Sequence, residues 1–170
     1  MLNQFSIFIF IFMLYSCQDG YSVKYGAGTS SNPPHLNLGV TTTYSGTALV
    51  SGSTDGAASA ALYFGVEGIT FDPSGNLYVV DGSNHTIRKI SGADIVSTFA
   101  GIAGLRNMVN GTGNVARFDN PGGIVADSVG DLYVADSANN RIRKITPAGV
   151  VTTFAGSGLT GSLDGTGVGA

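Results

Sequence analysis

The sequence has little charge and almost no cysteine. Charged residues make up 11% of its 170 residues, and the formal net charge is −3. Binding to nucleic acid requires a basic surface, so this charge balance argues against nucleic acid as a partner. Cys17 is the only cysteine, which excludes a disulfide framework. His35 and His85 are the only histidines, too few for a histidine-rich zinc centre.

The one long apolar run is too short to cross a membrane. Phe5–Tyr15 (FSIFIFIFMLY) has 11 residues, whereas a spanning helix needs about 20. Its length suits the apolar core of a secretory signal. Leu14–Cys17 (LYSC) is followed by a polar stretch and resembles a bacterial lipobox, where the signal is cut before a cysteine that is then lipidated. Plain secretion with a chance cysteine and a buried structural segment remain alternatives.

These features predict an N-terminal targeting region. Residues 1–16 are predicted to be a signal peptide, and residues 17–39 a lipidated Cys17 with a flexible tether that contains Gly, Ser and Pro. Acyl chains inserted in one leaflet would hold the protein at a bacterial membrane of the cell envelope, on its periplasmic or surface side. The membrane is therefore an expected partner, reached through the lipid anchor.

Glycine is abundant, with 26 residues, and the chain repeats itself every 55 residues. Gly68–Gly101 aligns without a gap with Gly123–Gly156, and 19 of the 34 aligned pairs are identical. Val40–Gly46 falls in register with Ile95–Gly101, and a third pass begins at Ser157. A period of this length indicates an array of units that bury their faces against one another.

One repeat predicts a four-stranded antiparallel sheet. In the second repeat, tight turns separate four short apolar stretches at 123–127, 131–136, 141–146 and 150–155. The sheet is apolar on both faces and needs a neighbour on each side, which radial stacking in a β-propeller supplies. The predicted fold is all-β: a partial β-propeller of about two four-stranded blades (about 47–101 and 102–156), a partial repeat at 157–170, and an orphan outer strand at Val40–Gly46.

The second repeat resembles NHL repeats. The matching residues are Phe118–Ile124 (FDNPGGI), Asp131–Asp136 (DLYVAD) and Asn139–Ile145 (NNRIRKI). The resemblance covers residues 40–170 and implies a propeller, commonly of about six blades, used mainly as a binding platform, with some enzymes among the relatives. Residues 40–170 hold only about 2.4 repeats. The sequence thus predicts either a truncated reading frame or fragment, or a homo-oligomer in which several chains complete one ring.

Recurring polar residues at strand ends are predicted to shape turns. A capping role predicts one such residue per repeat, whereas a catalytic group is needed once per ring. The predicted turn-capping residues are Asp72, Asp81, Asp127, Asp136 and Asn139.

Three Asp-Gly or Asn-Gly pairs lie between the blades, at Asp55, Asn110 and Asp164. Alternating oxygens in such loops are able to coordinate calcium, but each loop offers at most one carboxylate. This favours turns that depend on glycine.

Glu67 is the only glutamate in the chain. It stands just before the innermost strand, at the border of the central channel, where related six-bladed hydrolases and lyases place metal ligands. Glu67 is therefore a candidate ligand-binding residue of the channel, but one carboxylate is not a site. No catalytic residue, metal ligand or cofactor is predicted, and His85 is interpreted as the replacement of a turn asparagine.

Two further groups of residues, one basic and one aromatic, recur at equivalent places in the repeats. Basic residues are predicted to lie on a solvated outer strand: Arg88, Lys89, Arg141, Arg143 and Lys144. Aromatic residues of the outermost strand are predicted to pack against neighbouring strands or blades: Tyr44, Phe99 and Phe154.

The function predicted from the sequence is non-catalytic binding of a protein or carbohydrate ligand through the propeller loops. One alternative is a fragment of a propeller enzyme of the lyase or lactonase type, which needs several acids or histidines converging on the channel. Another is a nonfunctional truncated gene product.

Overall fold

The structure is a computed structural model that describes residues 41–162 and 164–169. The predicted signal peptide, Cys17 and the tether lie outside these residues. The described chain consists of two antiparallel five-stranded sheets and short 3-10 helices at Gly82–Asn84, Gly113–Val115, Ser137–Asn139 and Gly167–Gly169. The predicted all-β fold with two propeller blades is thereby confirmed. No helix in the described ranges is long and apolar enough to cross a membrane.

Each blade is a four-stranded meander with one additional short strand. The first blade consists of β1 (Gly56–Ala57), β2 (Val66–Phe71), β3 (Leu77–Asp81), β4 (Thr86–Ile90) and β5 (Ile95–Ala100), in the spatial order β1-β5-β4-β3-β2. The second consists of β6 (Gly111–Thr112), β7 (Pro121–Ala126), β8 (Leu132–Asp136), β9 (Arg141–Ile145) and β10 (Val150–Ala155), in the order β6-β10-β9-β8-β7. The meanders are rich in β-branched and aromatic residues, which favour strands.

The short strands β1 and β6 come from segments that the sequence predicts as turns. They pair with the outermost strands β5 and β10 of their blades. Gly111 in β6 has a φ of +152°, and a β-carbon there would lie 2.6 Å from Val115 Cγ1. Glycine is required because the chain passes so close to the following turn. The segment thus turns the chain and also pairs with the outer edge of the sheet, which would otherwise offer open hydrogen-bonding groups.

The predicted orphan strand is not formed, because residues 41–46 have no strand structure. Strand β5, which stands in register with this segment, pairs with β4, whereas no strand among the described residues pairs with residues 41–46. The segment still follows the 55-residue register. The Gly46 N–H donates to the Ala58 carbonyl at 2.8 Å, as the Gly101 N–H donates to the Gly113 carbonyl at 3.1 Å.

The two blades pack face to face. The front face carries Leu77, Val79, Ile90 and Val96 in the first blade, and Leu132, Val134, Ile145 and Val151 in the second. The rear face carries Tyr78, Val80, Ile87 and Phe99 in the first blade, and Tyr133, Ala135, Ile142 and Phe154 in the second. One apolar core joins the rear face of the first blade to the front face of the second. A smaller core lies between the front face of the first blade and its own leading connection, through Ala58 and Ala61.

Candidate functional site

Each blade contains one completely buried arginine. Arg88 and Arg143 are both 0% exposed. Arg88 Nη1 lies 2.9 Å from Asp81 Oδ2, and Arg143 Nη1 lies 2.8 Å from Asp136 Oδ2. The prediction that these arginines lie on a solvated outer strand is wrong. Strands β4 and β9 are interior strands, and each arginine shares the covered front face with the isoleucine two positions later.

The buried guanidinium of the first blade fastens the connection that leads into the blade. Arg88 donates to the carbonyls of Leu62 at 3.0 Å and Thr54 at 2.9 Å, and to the Asp55 carboxylate at 2.6 Å. The Tyr63 ring lies against the guanidinium, with 5.1 Å from its centroid to Cζ. A planar fork with five N–H donors suits this task, because one side chain reaches several acceptors at once.

The second blade repeats the same arrangement. Arg143 donates to the carbonyls of Arg117 and Val109, both at 2.9 Å, and to Asn110 Oδ1 at 2.8 Å. The Phe118 ring centroid lies 5.2 Å from its Cζ. Asn110 therefore supplies the oxygen that a carboxylate supplies in the first blade. In both blades this oxygen accepts a hydrogen bond from an arginine.

Asp81 and Asp136 differ from the predicted turn caps. Each precedes a 3-10 helix, but neither side chain accepts a hydrogen bond that caps that helix. Asp81 Oδ1 accepts the N–H of Phe64 at 2.7 Å, and Asp136 Oδ1 accepts the N–H of Asp119 at 2.8 Å. The second oxygen of each aspartate is held by the arginine of its blade. A carboxylate at this depth requires such partners, because burying an unpaired charge costs several kcal/mol.

Asp72 and Asp127 lie in the turns after β2 and β7. Asp72 Oδ1 accepts the N–H groups of Ser74 and Asn76 at 2.9 Å, and Asp127 Oδ1 accepts the two equivalent groups at 3.0 and 2.9 Å. Desolvation opposes ionisation, but these hydrogen bonds outweigh it and lower the pKa of both carboxyl groups. Burial, followed by the charge of Asp72, raises the pKa of Tyr78 to about 12.

Asn139 and Glu67 occupy different environments. The Asn139 amide donates to Asp136 Oδ2 at 2.9 Å and to the Asn107 carbonyl at 3.0 Å, so it links the turn to the connection between the blades. Glu67 is exposed and lies over Gly82, where a β-carbon would come within 2.7 Å of Glu67 Cγ. Among residues 41–162 and 164–169, no three His, Cys, Asp or Glu side chains come together in a way that would hold a metal ion.

His85 joins the two blades. It has a φ of +61°, and the equivalent Asn140 has a φ of +51°. This is the left-handed region, which asparagine tolerates better than most residues. His85 Nδ1 accepts the N–H of Asn120 at 3.0 Å and lies 3.9 Å from an Asp119 oxygen.

A depression of about 250 Å³ lies beside Tyr63. Its lining carries four hydroxyl groups and no charged side chain: Thr43, Ser45, Gly46, Thr47, Ala48, Val50 and Tyr63. Ser45 Oγ and Tyr63 Oη are 2.8 Å apart. Burial raises the pKa of Tyr63 above its ordinary value. A neutral tyrosine hydroxyl is able both to donate and to accept a hydrogen bond.

Sequence reasoning missed the burial of the two arginines, although a signal for it exists. In both repeats an aspartate that ends one strand stands seven residues before an arginine, as in Asp81 and Arg88. Across a tight turn, this spacing places the two side chains on the same face of neighbouring strands. The depression has no comparable signal, because residues 43–50 lack a strand pattern.

Comparisons with known proteins agree with the repeat structure. The family model of the NHL repeat matches residues 65–90 and 118–145. NHL repeat-containing protein 2 of Bos taurus is 30% identical over 131 residues, which cover 75% of this chain and 16% of that protein. The same protein of Gallus gallus is 33% identical over 131 residues, which again cover 75% of this chain and 16% of that protein. The chain thus spans 16% of the length of these curated relatives.

A solved structure shares the fold. It is a structural genomics protein of unknown function from Bacteroides thetaiotaomicron, with a TM-score of 0.57 and 34% identity. The match covers 59% of this chain and 26% of that chain. The sheets of the present chain are therefore similar to part of a larger propeller-like protein.

Proposed function

We propose that this chain, an NHL-repeat protein, is a non-catalytic binding scaffold that is exported and held at the cell envelope by a lipid anchor. One observation carries the non-catalytic part: the charged groups that recur in the blades already bond within them. Arg88 and Arg143 hold the connections together with Asp81 and Asp136. Glu67, the candidate residue of the channel, is exposed.

The depression beside Tyr63 is the proposed ligand site. Its hydroxyl groups and aromatic ring suit a neutral polar ligand such as a carbohydrate, which presents hydroxyls at its edges and C–H groups on its faces. Arg88 lies against the Tyr63 ring from within the blade, so the ring has a fixed support. A site with a rigid floor loses little entropy when it binds a ligand.

A glycan array probed with the full chain, followed by calorimetry on any glycan that binds, tests this site. Tyr63→Phe and Ser45→Ala each remove one hydroxyl, and each is expected to weaken binding about tenfold, the upper range for one lost hydrogen bond. Ser97→Ala removes an exposed hydroxyl on β5 and is the matched control. Binding to no glycan, or equal binding by all three variants, would reject the carbohydrate site.

The lipid anchor is proposed on Cys17 because the apolar run Phe5–Tyr15 ends directly before Ser16 and Cys17. Mass spectrometry of the mature N-terminus is expected to show Cys17 as the first residue, with acyl chains attached. Cys17→Ala is expected to leave the precursor uncut or to release soluble protein. An unmodified cysteine, or cleavage at another position, would contradict the anchor.

A further inference from the structure

The junction between the two blades shows how one blade receives the next. On the rear face of the first blade, Tyr78 is 2% exposed, while Val80 and Ile87 are both 0% exposed. They belong to one core with Leu132 and Val134 of the front face of the second blade. The buried state of this rear face therefore comes from a front face that packs on it.

The rear face of the second blade presents nearly the same side chains, and no blade among residues 41–162 and 164–169 packs on them. Ile142 is 38% exposed, whereas its equivalent Ile87 is 0% exposed. Phe154 is 53% exposed, whereas its equivalent Phe99 is partly buried in the shared core. Tyrosine, isoleucine and phenylalanine are kept between the repeats, and only Val80 is replaced, by alanine.

The front face of the first blade repeats the surface that the second blade uses in the junction. The four front-face residues Leu77, Val79, Ile90 and Val96 are identical to Leu132, Val134, Ile145 and Val151. On the inner strand, Ile69 is 36% exposed, whereas its equivalent Ile124 packs against the shared core. Phe71 of the same strand is 56% exposed. Val79, Ile90 and Val96 are already buried under the leading connection of their own blade, as their equivalents are in the second blade. The accessible part of this front face is therefore its inner side, with Ile69, Phe71 and the half-buried Leu77.

A glycine on the inner strand is also kept in both repeats, as Gly68 in the first blade and Gly123 in the second. A β-carbon at Gly68 would lie 3.0 Å from the Gly122 carbonyl oxygen and 3.5 Å from Ile124 Cγ2, so glycine there allows the inner strands to approach. The equivalent Gly123 has no atom within 4 Å of the same position. The second blade therefore keeps the glycine that close approach requires, at a place that no other described part of the chain approaches.

We propose that the rear face of the second blade binds the front face of the first blade of another copy of this chain. The contact is head-to-tail, because two different surfaces meet. Propellers close with about four to eight blades, so roughly two to four copies of the two described blades would make up a ring. This proposal does not depend on the carbohydrate site or on the lipid anchor.

The contact between copies rests on apolar packing, because the polar links of the internal junction are not repeated. Thr70 Oγ1 accepts the N–H of Ala126 at 3.3 Å inside the chain, but the equivalent of Thr70 is Val125. His85 is likewise replaced by Asn140. The association is therefore weaker than the internal junction, depends on protein concentration, and changes little with salt, since screening acts on charges.

Sedimentation velocity of the full chain over a range of concentrations, in a mild detergent that keeps the N-terminal apolar run in solution, tests the proposal. The wild-type chain is expected to form discrete assemblies of two to four copies as its concentration rises. Ile142→Glu places a charge on the rear face and is expected to leave a folded monomer. A wild-type chain that stays monomeric at every concentration would overturn the proposal.

Val150→Glu is the matched control. Val150 and Ile142 are both 38% exposed, but Ile95, the equivalent of Val150, remains 48% exposed when a blade is packed on its face. Val150→Glu is therefore expected to assemble like the wild type, and equal loss of assembly in both variants would overturn the proposal. If Ile142→Glu fails to fold, Gly123→Ala replaces it, because its β-carbon is harmless within one chain but would obstruct the contact between copies.

Mixing two blocked variants tests the head-to-tail geometry. Ile142→Glu blocks the rear face of the second blade and leaves the front face of the first blade able to bind. Ile69→Glu blocks that front face and leaves the rear face able to bind. Each variant alone is expected to be monomeric, and an equimolar mixture is expected to give a dimer with one copy of each. Self-association of Ile69→Glu alone would show a contact between two rear faces and would overturn the proposed arrangement.

Discussion

The buried arginines are the residues that tie each blade to the chain leading into it. Arg88 contacts Asp81 on the neighbouring strand and three points of the incoming connection. Replacing such a pair by apolar residues is often neutral, but removal of one member leaves an uncompensated charge in the interior. The pair therefore contributes more to the position of the connection than to net stability.

Arg143→Met is expected to lower the free energy of unfolding by about 3–5 kcal/mol, because it leaves the fully buried Asp136 carboxylate without its counter-charge. Urea denaturation followed by circular dichroism, at fixed protein concentration, measures this loss. The exposed Arg106 offers a control, since Arg106→Met removes the same charge from the surface. A second substitution, Asp136→Leu, is expected to restore part of the loss; no difference between Arg143→Met and Arg106→Met would contradict the structural role of the pair.

At the scale of elements, the outermost strands show how a neighbouring blade changes the burial of an aromatic side chain. Phe99 in β5 and Phe154 in β10 each meet a tyrosine edge to face, with ring centroids 5.0 Å apart in both blades. The contact within the blade is therefore the same. Only Phe99 is also covered by the second blade, and Phe154 is 53% exposed.

Phe99→Ala is expected to cost up to about 3–5 kcal/mol, the range for a fully buried phenylalanine, because Phe99 is partly buried in the shared core, and Phe154→Ala clearly less. The difference between the two losses measures the cover that the second blade provides. Both are obtained from urea denaturation at a low protein concentration, where copies of the chain do not associate. Equal losses would mean that the packing between the blades contributes nothing at Phe99.

The four long strands of each blade were predictable from the sequence, whereas the short strands were not. Stretches such as Leu77–Asp81 carry apolar residues on both faces and end in turn residues, so their pattern marks a buried strand. A two-residue strand such as β1 (Gly56–Ala57) has no period to detect. The burial of Arg88 was missed for a related reason. A charged side chain is expected at the surface unless it has a buried partner, and the strand register decides which residue is that partner.

The candidate site was less predictable than the fold. Asp81 and Asp136 were placed at strand ends correctly, but their bonds run to Phe64 and Asp119, 17 residues earlier in the chain. Such contacts depend on the path of the connection between blades. The depression beside Tyr63 depends likewise on the path of the segment that leads into the first blade, because residues 43–50 line the depression without forming a strand.

At the scale of the whole molecule, the two blades share one core and are expected to unfold as one unit. Residues of both blades belong to the same buried cluster, and the inner strands β2 and β7 meet where Gly68 has no side chain. Small domains with one core usually unfold in a single cooperative transition. A change that separates the blades is therefore expected to destabilise the entire described chain.

Gly68→Ala and Gly123→Ala test this coupling at the same position of the two repeats. A β-carbon at Gly68 would press against the Gly122 carbonyl of the second blade, and overpacking of this kind costs typically about 1–3 kcal/mol. At Gly123 the space is open, so alanine is expected to be neutral or to stabilise by about 0.4–1 kcal/mol through the unfolded state. Urea denaturation at low protein concentration measures both, and both blades should be lost in one transition. Equal effects at the two glycines, or a Gly68→Ala variant that melts in two steps, would mean that the blades are stable independently of their junction.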